Sequence, residues 1–188
     1  MKFTQIATAI ALGLALTTGA QAATATNTFN VKITITGTCD ATVFTNAANT
    51  SDIAFTSTPS AATSAAITAN NSATGNLTVQ CTKGTAVTVG LKPTSATAGA
   101  STGLGSMGNG TDTIAYQLKQ PTFTTPTYAA GTSASSPWGD IIGTNTVSVI
   151  GQGMTVGIKL PVAATIPANA LNVSAGNYTE AVLATLTY

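Results

Sequence analysis

The chain contains no histidine and no arginine, and charged residues make up only 6% of its 188 positions. Ordinary globular domains carry about a quarter. Without histidine neither a Ser-His-Asp relay nor a Cys-His pair can be assembled, and the commonest metal ligand is missing. Without arginine there is no bidentate phosphate clamp, and six scattered lysines make no basic patch. Nucleic acid is therefore not an expected partner. A long hydrophobic run is also lacking. The most apolar stretch, Ile6 to Leu16, is about half the roughly 20 residues that span a bilayer.

That stretch reads better as part of a leader. Lys2 supplies a short positive region, the Ala- and Leu-rich run follows, and Ala20-Gln21-Ala22 has the small-x-small form that signal peptidase cleaves. The pattern predicts a signal peptide over residues 1–22 and a mature, exported and soluble chain from Ala23. An uncleaved anchor helix is the alternative. With Lys2 removed, five lysines balance Asp40, Asp52, Asp112, Asp140 and Glu180, so the mature surface is formally neutral.

Two cysteines, Cys39 and Cys81, remain in the exported part, and an even pair in an oxidising compartment reads as a disulfide. They lack the Cys-x-x-Cys spacing and the cationic neighbours of redox thiols. The bridge is expected to join the strand after the N-terminal segment to the strand Leu77–Cys81. Its Cα separation should fall in the usual range of about 4.4–6.8 Å.

From Ala23 onward the apolar pattern has a period of two. Phe29, Val31, Ile33 and Ile35 alternate with Asn30, Lys32 and Thr34. Further alternating runs are Leu77-Val79-Cys81, Val87-Val89-Leu91, Ile114-Tyr116-Leu118, Val147-Val149, Met154-Val156-Ile158-Leu160 and Val182-Ala184-Leu186-Tyr188. Gly- and Asn-rich clusters separate them. The reading is all-β: about seven short strands in an antiparallel, Ig-like sandwich, with helix confined to short turns. The Ala-rich stretch from Ser60 to Ala73 is expected to be a loop carrying a short strand at Ala66-Ile67-Thr68. No internal repeat or linker divides the mature chain.

Some sequences that look chemical have plainer readings. Gly103-Leu104-Gly105-Ser106-Met107-Gly108 has the spacing of a dinucleotide-binding loop, but no strand precedes it and no helix pattern follows. A flexible glycine-rich loop is expected there. The carboxylates are scattered, whereas a glycosidase needs two at a set separation. No catalytic residue, metal site or cofactor is expected, and the chain is not read as an enzyme. A lone tryptophan, Trp138, and the tyrosines Tyr178 and Tyr188 are expected to pack rather than to bind.

The second half carries a distinctive order of features: Ala115-Tyr116-Gln117-Leu118, Trp138-Gly139-Asp140, Val147 to Gly151, Gly176-Asn177-Tyr178-Thr179-Glu180 and Ala184 to Tyr188. Upstream stands Asn76-Leu77-Thr78-Val79-Gln80-Cys81. Together they resemble the spore coat protein U domain, the family that includes the major pilins of archaic (Csu-type) chaperone-usher pili. Glu180 stands where that family usually has Asp. The resemblance covers nearly all of Ala23 to Tyr188.

The resemblance implies an incomplete Ig-like sandwich that lacks its last strand and is completed by donor-strand exchange. It implies a donor strand within residues 23–37, borne by Phe29, Val31, Ile33 and Ile35, and a pilin domain over 38–188. Trp138, Gly139, Asp140, Gly176, Tyr178 and Glu180 would be structural motif residues. Val182, Ala184, Leu186 and Tyr188 would form the C-terminal strand flanking the groove and pairing with the chaperone. The partners implied are neighbouring pilin subunits, a periplasmic chaperone and an outer-membrane usher. The function implied is a shaft or minor subunit of an extracellular pilus serving adhesion and biofilm formation. A tip adhesin would need a second, receptor-binding domain. Two other classes stay open: a secreted monomeric carbohydrate-binding sandwich, with Trp138 and the tyrosines on an exposed face, and a spore-coat or surface-layer protein that does not polymerise.

Overall fold

The structure is a computed structural model, described for residues 26–40, 52–56, 65–71, 77–95, 98–124 and 129–188. The expected signal peptide and its cleavage site lie outside the described residues. The chain divides into two units, 1–34 and 35–188. In the first, the described residues 26–34 belong to no strand ladder.

The second unit is all antiparallel β. Its strands are β1 (Ile67–Asn70), β2 (Leu77–Val79), β3 (Ala86–Pro93), β4 (Leu104–Gly108), β5 (Thr113–Thr124), β6 (Ala129–Pro137), β7 (Val147–Ile150), β8 (Ile158–Leu160), β9 (Ala163–Ile166) and β10 (Val182–Thr187). A 3-10 turn, Ala100–Thr102, precedes β4. One sheet runs β1-β9-β5-β4, with β6 also on β5; a second runs β10-β3-β7; β2 and β8 form a two-stranded ribbon. Among the described residues no helix is long and apolar enough to cross a membrane.

The alternation read in the sequence is what closes the core. Val87, Val89 and Leu91 of β3, Val147 and Val149 of β7, and Ile114, Tyr116 and Leu118 of β5 all point inward and are buried in one cluster. Trp138 is fully buried within it, and its indole N–H donates to the Val89 carbonyl at 3.0 Å. Burial of a tryptophan therefore leaves no orphan donor. Gly139 and Asp140 continue this brace. The Gly139 carbonyl accepts from Leu91 N–H at 3.0 Å, and Asp140 sits 3.6 Å from the Lys92 ammonium. A Cβ at Gly139 would come within 2.1 Å of the Ser101 carbonyl, so the triplet requires glycine at its centre.

Cys39 and Cys81 are bridged. Their Cα atoms lie 4.0 Å apart, closer than the expected range. The reason is their register. Asp40 N–H donates to the Gln80 carbonyl and Thr82 N–H to the Thr38 carbonyl, so the cysteines face each other as a non-hydrogen-bonded antiparallel pair, the closely spaced type.

Several elements differ from the sequence reading. The glycine-rich segment expected to be a flexible loop is β4. Its glycines serve close packing: a Cβ on Gly103 would lie 1.9 Å from the Trp138 carbonyl oxygen, and one on Gly105 would enter the Tyr116 ring at 2.3 Å. The run from Met154 to Leu160 is a strand only over Ile158–Leu160, and Met154 and Val156 are exposed in a turn held by Gly153 at φ 124°. The short strand near Ile67 exists as β1, beginning one residue later than expected and running on to Asn70. β6 and β9 were not expected.

Candidate functional site: an open groove beside the last strand

The chain entering β10 passes from one sheet to the other. At Thr179 it still belongs beside β4, exchanging two backbone hydrogen bonds of 3.1 Å with Gly108. Three residues later it pairs with β3, starting at Val182 opposite Pro93. Glu180 ties the two sheets together at this crossing. One carboxylate oxygen accepts the Ser106 N–H of β4 at 2.7 Å, and the other accepts the Ser95 N–H just beyond β3 at 2.6 Å. The Tyr116 hydroxyl also donates to Glu180. Burial, with the bond to Glu180 and its negative charge, pushes the Tyr116 phenol above its ordinary range, so it stays protonated.

Beyond that tie the sandwich is open. A cavity of about 650 Å³ lies between the layers. Its walls include Leu91 of β3, Met107 of β4, Tyr116 and Leu118 of β5, Ala164 of β9, and Val182 and Ala184 of β10. The lining is largely core side chain, although Glu180 and Asp52 also reach it.

The edge of β10 bounds this cavity. Among the described residues β10 pairs only with β3. Thr94 N–H donates to the Ala181 carbonyl at 3.0 Å, which fixes the ladder phase: Ala181, Leu183, Thr185 and Thr187 bond inward to β3. The N–H and C=O groups of Val182, Ala184 and Leu186 therefore face the open side. Pro93, which has no N–H, falls opposite Val182 at a non-bonded pair, so the ladder loses nothing there. The side chains of Val182 and Ala184 line the cavity, and Leu186 packs against the core. The expected groove-flanking strand thus has an apolar inner face and an edge that no described residue pairs with. Tyr188 lies at its far end, exposed, beside a smaller 320 Å³ recess between β3 and β7.

Phe29, Val31, Ile33 and Ile35 are 74–89% exposed. Four large apolar side chains on one alternating segment therefore stand in water, the kind of edge that proteins normally blunt or cover.

The other motif residues act as braces. Tyr178 is half-buried, and its hydroxyl donates to the Ser174 carbonyl at 2.7 Å. Asp112 accepts both the N–H (2.8 Å) and the hydroxyl of Ser174, and these bonds hold its carboxyl below the ordinary carboxylate value. Gly176 packs against Asn109. Trp138 offers no stacking platform for a sugar, because it is fully buried. Two important side chains went unnoticed in the sequence. Asn71, fully buried, accepts the Val162 N–H at 2.8 Å, and Asn145 links Ile141 N–H to the Ser101 carbonyl. In a chain so rich in Asn, neither stood out.

A family model for the Spore Coat Protein U domain matches residues 25–185. No curated protein matches the chain.

Proposed function

Because the chain belongs to the Spore Coat Protein U family, a structural family of pilus-type subunits, we propose that it polymerises into an extracellular pilus by donor-strand complementation. Segment 23–37 of one subunit enters the groove of its neighbour, with Phe29, Val31, Ile33 and Ile35 turned into the cavity. Before assembly a periplasmic chaperone occupies the groove, and an outer-membrane usher exchanges it for the donor strand. The filament serves adhesion and biofilm formation, with this chain in the shaft or as a minor subunit. Residues 1–22 are the export signal.

One observation carries the reading: a sandwich whose last strand, among the described residues, leaves one edge unpaired beside an apolar cavity, in a chain that also bears an exposed apolar comb. Burying the four comb side chains should yield on the order of 6–12 kcal/mol. Ordering the strand opposes this by about 1–2 kcal/mol per residue, so ladder bonds to β10 must supply the surplus. The open N–H and C=O groups of Val182, Ala184 and Leu186 are suited to form them.

The test is Ile33→Asp, which places an unpaired charge in an apolar site at a cost of several kcal/mol. Wild-type protein should run as a ladder of polymers when electrophoresed without boiling, and pili should be visible by electron microscopy. The variant should lose both while still co-purifying with its chaperone. Normal pili from the variant strain would defeat the donor-strand reading. Loss of pili and chaperone complex together would assign the comb to the subunit's own core.

A further inference from the structure

Two ladder rungs, one from each sheet, wall the groove in the same way. In one sheet Leu118 of β5 stands opposite Ala164 of β9; in the other Leu91 of β3 stands opposite Ala184 of β10. All four side chains line the 650 Å³ cavity. The leucines are buried in the core cluster, whereas each rung shortens to a methyl group on its second strand. Facing sheets pack about 10 Å apart. A pair of leucines fills much of that gap, and a pair of alanines leaves a slot beside them. Met107, Tyr116 and Phe55 also line the cavity. Thioether and ring walls of this kind favour contact with an aromatic side chain.

We propose that the slot between Ala164 and Ala184 is the specificity pocket of the groove and takes the ring of Phe29 from a second copy of the chain. This rests on the donor-strand reading and adds which side chain decides acceptance and register. Phe29 is the one aromatic residue in segment 23–37, and it stands 86% exposed. Its ring is flat and carried on an unbranched Cβ, so it passes between two methyl groups and reaches the leucines behind them. Val31, Ile33 and Ile35 are branched at Cβ, which makes them broad at the slot entrance and short beyond it. The pocket also sets the frame. A slip of one residue turns the whole comb to the outer face. A slip of two keeps the comb inward but brings the ring against Val182 or Leu186, where no alanine makes room. Strands without an aromatic at this step are therefore discriminated against, as are misregistered copies of the correct strand.

The experiment uses the full mature chain carrying Ile33→Asp as acceptor, so that its own comb does not engage neighbours, and a fluorescent peptide of residues 26–37 as the donor. Adding Ala184→Leu to the acceptor fills the slot, and the affinity for the unaltered peptide should fall about a hundredfold. A peptide carrying Phe29→Ala should then bind this acceptor at least tenfold better than the unaltered peptide does, reversing the preference of the acceptor with Ala184. Unchanged affinity on Ala184→Leu would overturn the inference. Rescue by Ile33→Ala or Ile35→Ala instead of Phe29→Ala would also overturn it, by seating a different side chain in the slot, and would leave the donor-strand reading in place. A second measurement does not depend on the Ala184→Leu chain folding. On the acceptor with Ala184, Phe29→Ile in the peptide should weaken binding about tenfold, because a branched side chain replaces the ring; equal affinity would overturn the inference. An unaltered peptide that binds no better than its own Ile33→Asp form would overturn the donor-strand reading itself.

Discussion

Gly105 exists because Tyr116 needs the space above it. The two residues are paired across β4 and β5, and the ring lies where a Cβ at position 105 would stand. Gly105→Ala must push aside a buried ring that is tied to Glu180, so an overpacking loss of about 1–3 kcal/mol is expected in denaturant unfolding. Glu180→Gln has a different signature. A neutral amide keeps one good acceptor for the two backbone donors, Ser95 and Ser106, and loses the charge assistance to both. Stability should fall by roughly 2 kcal/mol, and amide exchange should quicken first at Ser95 and Ser106. Unchanged exchange there would remove Glu180 from its tying role. Asp112 is a pH probe. Its carboxyl is held below 3.8, its ordinary value, by the two bonds from Ser174. Whatever it contributes to holding Ser174 is fully present above pH 3.8 and is lost only as the pH falls through the lower folded value. The Ser174 amide resonance should therefore titrate with a midpoint under 3.8, and a midpoint at or above it would contradict the assigned bonds.

Among the elements, β10 makes the sharpest expectation. Ala184 bonds outward, so Ala184→Pro removes an N–H that β3 does not use, at an edge where proline is tolerated. The far-UV spectrum should be unchanged, while donor-peptide affinity falls about tenfold, equivalent to one ladder bond of about 1.4 kcal/mol. Equal affinity would mean that strands do not add at this edge. The legibility of elements followed the same physics. β3, β5 and β7 were readable because each turns one face to the core and the other outward, which writes a period of two into the residues. β9 was not, because Ala163 and Ala164 are adjacent and both buried, so the alternation is lost. β6 was hidden by its Ala-Gly-Thr-Ser composition, since its place comes from pairing with the far half of β5 across two register shifts. β4 is hidden in the sequence because glycine there reads as conformational freedom, whereas the structure uses Gly103 and Gly105 for close contacts with Trp138 and Tyr116. In the site, the apolar run of β10 and the comb were visible in the sequence. The tie at Glu180 was not, because it depends on residues more than seventy positions apart along the chain meeting in space.

At the scale of the whole molecule, scarcity of charge leaves burial, backbone pairing and one covalent crosslink to hold the fold. Cys39 and Cys81 are 42 residues apart in sequence. Removing the bridge with Cys39→Ser and Cys81→Ser should lower unfolding stability by about 4 kcal/mol in the chain-entropy account. A change under about 1 kcal/mol would indicate that residues 40–80 are already confined in the unfolded ensemble.

In the proposed filament the same bridge would have a mechanical meaning. Tension applied through the N-terminal segment would reach Cys39, four residues beyond Ile35, and there the disulfide would carry it directly to Cys81. β1 and β2, which lie between the two cysteines in sequence, would be spared the pull. Stretched under reducing conditions, each subunit would instead transmit the load through residues 40–80. Their full extension releases about 140 Å of slack per subunit. An oxidised pilus should behave as a nearly inextensible cord, and a reduced one should lengthen stepwise under force.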